Sequence, residues 1–210
     1  MNRKITAIIL ALLMIGLFGC SATSSAKTST IYVDKNGKVS SVTIENLSAE
    51  QYSEEELREL VTQTIKEYNS EKGEGKVKLD ELKVKKEQAR LAIEYATSAD
   101  YEEFNGRILF VGTVAEAKEA GYDFETDFVG ADETTIKGEA VVGQEKDSQV
   151  IITNEPAQIK TIKDILYTST NAKITEKRAA QVDAEAGATE NGITFGNSEC
   201  AYIIYRMKAT

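Results

Sequence analysis

The chain has 210 residues, of which 41% are hydrophobic and 28% are charged, and its formal net charge is -9 at pH 7. An acidic surface repels nucleic-acid phosphates and anionic lipids, so this balance argues against a nucleic-acid partner. Histidine is absent, which excludes histidine-based nucleophilic catalysis, histidine proton shuttles and histidine-ligated metal sites. The remaining possibilities are catalysis by carboxylates, catalysis by lysine, or a function without catalysis.

Residues 1–19 have the layout of an export signal. Arg3 and Lys4 precede an apolar run from Ile5 to Phe18, which matches a charged n-region followed by an apolar h-region. The run is shorter than the roughly 20 apolar residues that a membrane-spanning helix needs, and small polar residues follow it. We therefore interpret it as a signal peptide and not as a transmembrane helix.

The tetrapeptide LFGC, which ends at Cys20, resembles the lipobox of bacterial lipoproteins. This resemblance implies that Cys20 receives a diacylglyceryl thioether and that a peptidase cuts the chain just before it. Two or more acyl chains hold a protein stably on a membrane. We therefore expect a lipid anchor and flexible spacer at residues 20–29, on the extracytoplasmic face of the cell membrane.

The first elements of the mature chain are a hairpin and a helix. β-type runs flank Asn36-Gly37, which predicts a hairpin over 30–46 with a type I′ turn. Ser53 and Glu56 have the spacing of a capping box, and apolar residues follow at helical intervals, so a helix is predicted over 54–69. The stripe expected to pack on the sheet consists of Leu57, Leu60, Val61, Ile65 and Tyr68.

Residues 77–95 show the alternation of two strands, with a phase slip near Asp80-Glu81 that indicates a β-bulge. The segment SADYEEFNG predicts a short helix that stops at Asn105-Gly106, and RILFVG after it predicts a buried strand. Thr113 and Glu116 form a second capping-box pattern, which predicts a two-turn helix ending before Gly121.

From residue 128 onward, short β-type runs separated by polar turns favour antiparallel structure. The runs are KGEAVVG, SQVIIT, QIKTI, DILYTS, AKITEKRAAQVD and CAYIIYRM. Residues 184–199 are predicted to be a long loop. The predicted class is α+β, with a hairpin, a helix and a mixed sheet in 30–127 and mainly antiparallel β structure in 128–210. Whether these two regions form one domain or two is left open.

The acidic segment DFETDFVGADE carries the candidate metal ligands. Asp123, Glu125 and Asp127 alternate and offer the oxygen atoms that Ca²⁺ prefers. An EF-hand loop requires glycine at its sixth position, which is Phe128 here, and a strand would place the three carboxylates on one solvated face. The calcium site is therefore the weaker interpretation, and we predict no metal site and no cofactor.

Cys200 is the only cysteine left once Cys20 is lipidated, which excludes an internal disulfide and a cysteine metal cluster. Two aromatic groupings could stack on sugar rings, but aromatic residues more often fill a core. They are Tyr101 with Phe104, and Tyr202 with Tyr205.

These observations predict an extracytoplasmic, membrane-anchored lipoprotein, similar in style to small cell-envelope lipoproteins whose activity is unknown. The leading hypothesis is a non-enzymatic binding or protein-interaction module with a partner in the envelope. One alternative is a transporter accessory that binds a small ligand or a metal. The other is a carboxylate-dependent hydrolase of envelope glycans, whose catalytic pair the sequence does not identify.

Overall fold

A computed structural model describes residues 25–47, 53–85, 88–183 and 200–206. The predicted signal peptide, Cys20 and the predicted loop at 184–199 lie outside the described residues.

The described chain contains thirteen strands and four helices, which confirms the predicted α+β class. The strands are β1 (Thr30–Val33), β2 (Val39–Asn46), β3 (Val77–Lys85), β4 (Gln88–Tyr95), β5 (Leu109–Thr113), β6 (Asp127–Gly130), β7 (Thr135–Lys137), β8 (Gln149–Thr153), β9 (Gln158–Lys160), β10 (Ile165–Ser169), β11 (Ala172–Glu176), β12 (Ala179–Val182) and β13 (Ala201–Tyr205). The helices are α1 (Glu54–Lys72), α2 (Ser98–Asn105), α3 (Val114–Glu119) and α4 (Gly138–Gln144).

The strands form two sheets. The seven-stranded sheet has the order β11-β12-β9-β1-β2-β4-β3, and its β1–β9 pair is parallel. The six-stranded sheet has the order β5-β8-β13-β10-β6-β7, and its described pairs are antiparallel. Each sheet contains strands from both sides of residue 128, so this pairing favours the single-domain alternative.

The six-stranded sheet is the middle layer of the fold. Along β13, Ile203 points into a core shared with the seven-stranded sheet, and Ile204 points into a second core closed by α3 and α4. Ile151 and Ile152 of β8 divide between the two cores in the same way. All four side chains are fully buried, and burying each contributes about 1.5–3 kcal/mol.

The predicted hairpin over 30–46 is confirmed, but its turn differs from the predicted type I′. Val33 pairs with Val39, so five residues connect the strands, and only Gly37 among them has a positive φ, of 80°. The Asp34 carboxylate accepts hydrogen bonds from the backbone N–H groups of Asn36 and Lys38 at 2.7 and 2.9 Å. A local side chain therefore satisfies the backbone groups of this longer turn.

Helix α1 begins at the predicted capping box, in which Ser53 and Glu56 bond each other's backbone N–H groups. Its predicted apolar stripe is only partly buried: Ile65 lies in the core, whereas Leu60 is 59% exposed. The helix also covers the free edge of β3, because the Asn69 amide exchanges two hydrogen bonds of 2.8 and 2.9 Å with the backbone of Val77. Such cover protects an edge strand from pairing with another chain.

The middle of the chain follows most of the sequence pattern. The register of β3 on β4 shifts between Leu79 and Glu81, which confirms the predicted bulge. Gly106, with a φ of 63°, ends α2, and the second capping box begins α3. The RILFVG segment forms β5, but β5 is an edge strand of which only Leu109 is fully buried.

One predicted strand after residue 128 is wrong. The segment KGEAVVG contains helix α4, whose Val141 is fully buried in the second core. The five later β-type runs form β8 to β13. Pro156 lies between β8 and β9, where it interrupts no strand pairing.

The predicted spacer at 20–29 ends earlier than the sequence indicates. The carbonyl oxygen of Ala26 accepts a hydrogen bond of 2.8 Å from Arg90 Nη1. Ser29 accepts one from the backbone of Gln158 through its carbonyl and one from Ile44 through its hydroxyl. The folded domain therefore begins at or before Ala26.

Candidate functional site

A charged groove lies at one end of the seven-stranded sheet, between the β1–β2 turn and the turn that joins α1 to β3. Its volume is about 310 Å³. The residues that line it are Asp34, Asn36, Lys38, Gly75, Lys78, Glu94, Tyr95 and Ala96. The Asp34 carboxylate holds the β1–β2 turn, and the backbone N–H of Gly73 bonds the carbonyl of Asn69 at the start of the other turn.

The two lysines of the groove differ in their partners. Lys38 Nζ lies 2.7 Å from Glu94 Oε2, in an ion pair whose carboxylate is largely buried. Lys78 belongs to the same row of side chains, because its backbone pairs with Glu94. Within the described part of the chain Lys78 makes no ion pair, and its side chain lies over Gly75. Its ammonium group can donate to the oxygen atoms of an acidic ligand group.

The structure does not bring the predicted calcium ligands together. Lys137 Nζ lies 2.7 and 3.0 Å from the two carboxylate oxygens of Asp127. Asp123 and Glu125 precede β6, which begins at Asp127, so the three candidate carboxylates do not share one strand. Among the described residues, no three Asp, Glu or Cys side chains are arranged to hold a metal ion.

The aromatic groupings lie in the interior and are not arranged for stacking on sugar rings. Tyr101, Tyr202 and Tyr205 are at most 4% exposed. The hydroxyl of Tyr202 donates a 2.6 Å hydrogen bond to the carbonyl of Asp123. Burial raises the pKa of Tyr205 to about 12, as expected for a phenol that is removed from contact with water.

Glu155 is a carboxylate that the sequence reasoning missed. It lies in the crossover from β8 to β9, and its Oε2 is 3.4 Å from Arg107 Nε. Burial raises its pKa; the charge of Arg107 opposes this rise, and that of Glu45 adds to it. A glutamate before a proline carries no pattern that distinguishes it from the other acidic residues, so only the fold identifies it.

Glu155→Gln is expected to raise the melting temperature near neutral pH. Because the folded-state pKa is raised, the protonated form favours folding, and this stability is lost as the pH rises through that pKa. The neutral amide removes the penalty, so the difference from the unmodified protein should disappear below about pH 4. Melting curves across this range, with the exposed Glu74→Gln as control, test it. A lower melting temperature for Glu155→Gln at neutral pH would contradict the expectation.

No protein-family model matches the chain, and no curated protein and no solved structure matches it significantly. Among the described helices, none combines the length and the apolar character needed to cross a membrane. Cys200 is buried.

Proposed function

We propose that the protein is a lipid-anchored, non-enzymatic binding module on the extracytoplasmic face of the cell membrane. The apolar run that ends in LFGC supports the anchor at Cys20. The contact between Ala26 and Arg90 supports it further, because the chain leaves the folded domain only a few residues after that cysteine.

The charged groove carries the binding function. It combines a concave shape, one ammonium group with no described ion partner at Lys78, and an ion pair between the partly exposed Lys38 and the largely buried carboxylate of Glu94. Preformed concave sites with a few convergent polar groups are the usual ligand sites of proteins. The ligand expected here presents a carboxylate or phosphate group, and we propose that it belongs to an envelope protein.

Photocrosslinking in cells tests this proposal. A benzophenone amino acid at Asn36, at the mouth of the groove, should give one discrete crosslinked species, whereas the same probe at the distant Lys146 should not. The species should be lost in Lys78→Glu and retained in the control Lys66→Glu, because Lys66 is exposed on α1 away from the sheet. An Asn36 adduct that is insensitive to Lys78→Glu would contradict the groove as the binding site.

Two alternatives predict different results. A transporter accessory would use the same groove for a small acidic ligand and would give no protein adduct at Asn36. A carboxylate hydrolase would use Glu155, because burial raises its pKa, as it does for Glu102, and the charge of Glu45 raises the pKa of Glu155 further. Turnover of a wall glycan that is abolished in Glu155→Gln, without loss of melting temperature, would replace the binding proposal with the hydrolase.

A further inference from the structure

The seven-stranded sheet has an inner face against the six-stranded sheet and an outer face turned away from it. The inner face carries Ile31, Ile93 and Ile159, which lie in the shared core. Ile31 pairs with Ile159, and Ile93 lies two strands from Ile31 in the same row. Since side chains alternate along a strand, the residues between them point outward. The pairing of Lys160, Tyr32, Ser40, Glu94 and Lys78 places these five in one row across the outer face.

This outer face is basic although the chain is acidic. Its basic residues, called the basic face below, are Lys38, Lys78, Lys83, Lys85, Arg90, Lys160 and Lys173. Its acidic residues are Glu81, Glu94 and Glu176, with Asp80 beside them in the bulge. The whole chain has 25 basic and 34 acidic residues, so its acidic excess lies elsewhere.

Two of the four carboxylates on or beside this face form ion pairs with its basic residues. Glu81 contacts both Lys83 and Arg90, and Glu94 contacts Lys38. The exposed lysines of this face that take part in none of these ion pairs are Lys78, Lys85 and Lys173. These lysines lie on the edge strands β3 and β11 and give the exposed parts of the face a net positive charge, whereas Thr30, Val42 and Ala92 at its centre are buried.

The N-terminal segment leaves the domain on the same side. Arg90, which belongs to the basic face, holds the carbonyl of Ala26 at 2.8 Å. Ala26 lies six positions after Cys20, and an extended chain spans at most about 3.3–3.6 Å per residue. A lipid on Cys20 therefore keeps the basic face within about 20 Å of the bilayer surface.

We propose that the exposed lysines of the basic face outside the charged groove dock on the anionic phospholipid headgroups of the membrane that holds the Cys20 lipid. The proposal rests on the anchor described under the proposed function. Charge complementarity and the short chain from Cys20 to Ala26 act together, because a basic surface near a membrane is attracted to anionic lipid only over a short distance. The layer formed by α3 and α4, on the opposite side of the molecule, then faces away from the bilayer.

Lysine acetylation read by mass spectrometry tests the docking on the unmodified full chain. The protein is reconstituted in vesicles of phosphatidylcholine alone, or with roughly one third phosphatidylglycerol. In the anionic vesicles at low salt, Lys85 and Lys173 should be acetylated at least about threefold more slowly than in neutral vesicles. Lys118 and Lys146, which are exposed in the helical layer, serve as internal controls and should react equally in both.

A charge variant provides the matched comparison. Lys83→Gln with Lys85→Gln should reduce the protection of Lys173, whereas Lys118→Gln with Lys146→Gln should leave it unchanged. Equal acetylation of the basic face in the two kinds of vesicle would overturn the proposal, as would protection by soluble polyglutamate with none on the vesicles. Co-sedimentation with neutral vesicles separately reports the Cys20 anchor, so failure of the anchor and failure of the docking are distinguishable.

Discussion

Replacing Gly138 with alanine is expected to destabilise the protein by about 3 kcal/mol or more. A Cβ atom at this position would lie 1.7 Å from the carbonyl oxygen of Phe124 and 3.0 Å from that of Thr126. Both obstacles are backbone atoms, so no side-chain rotation relieves the overlap. The start of α4 would have to move away from the second core, where Val141 is fully buried. Denaturant unfolding of the full chain measures the loss.

Gly143→Ala is the matched control for this prediction, because Gly143 lies in the same helix and an added Cβ would meet no atom within 4 Å. Alanine is favoured over glycine in a helix by up to about 1 kcal/mol, so this variant should be as stable as the parent or more stable. Equal stabilities for the two variants would show that the close approach of Gly138 to Phe124 does not constrain the fold.

Cys20→Ala is expected to abolish fatty-acid labelling and to leave the signal peptide uncut at this site. The thioether forms on the cysteine sulfur, and alanine offers no atom to which the diacylglyceryl group can be attached. The variant should then carry no acyl chains, and any membrane association that remains should depend on the uncut apolar run from Ile5 to Phe18. Metabolic labelling with palmitate, followed by electrophoresis, measures both the label and the change in size.

Cys200→Ala provides the control for labelling, since Cys200 is the other cysteine of the chain and is 3% exposed. This variant should keep the full label. A label that persists in Cys20→Ala but is lost in Cys200→Ala would show that the lipid is attached to Cys200. That result would remove the basis for the membrane orientation proposed above.

Local patterns predicted the elements whose boundaries depend on neighbouring residues. The capping boxes at Ser53 and Thr113 begin helices as expected, because each satisfies backbone donors within one turn. The strand predicted around Val141 was wrong for a different reason. Its two adjacent valines favour a strand, but burial of Val141 in the second core stabilises a helix that its local preference disfavours.

The charged groove and the basic face depend on pairing between distant strands, which no local sequence pattern predicts. Net charge predicted a surface that repels anionic lipids, yet strand register collects Lys78, Lys160 and Arg90 on one face. The ends of the groove come from turns about 40 residues apart in the chain, at Asn36 and Gly75. Glu155 acquires its raised pKa through burial, which depends on the complete fold.

The central place of β13 in the six-stranded sheet determines when the molecule can assemble. This strand joins β8 to β10, and the parallel partner of β1 is β9, more than a hundred residues later in the sequence. A chain that emerges from the ribosome or from an export channel with its N-terminus first therefore holds separate groups of strands until residues 201–205 arrive. Such distant pairings fold slowly, which would keep the chain extended during the export that the proposed lipid anchor requires.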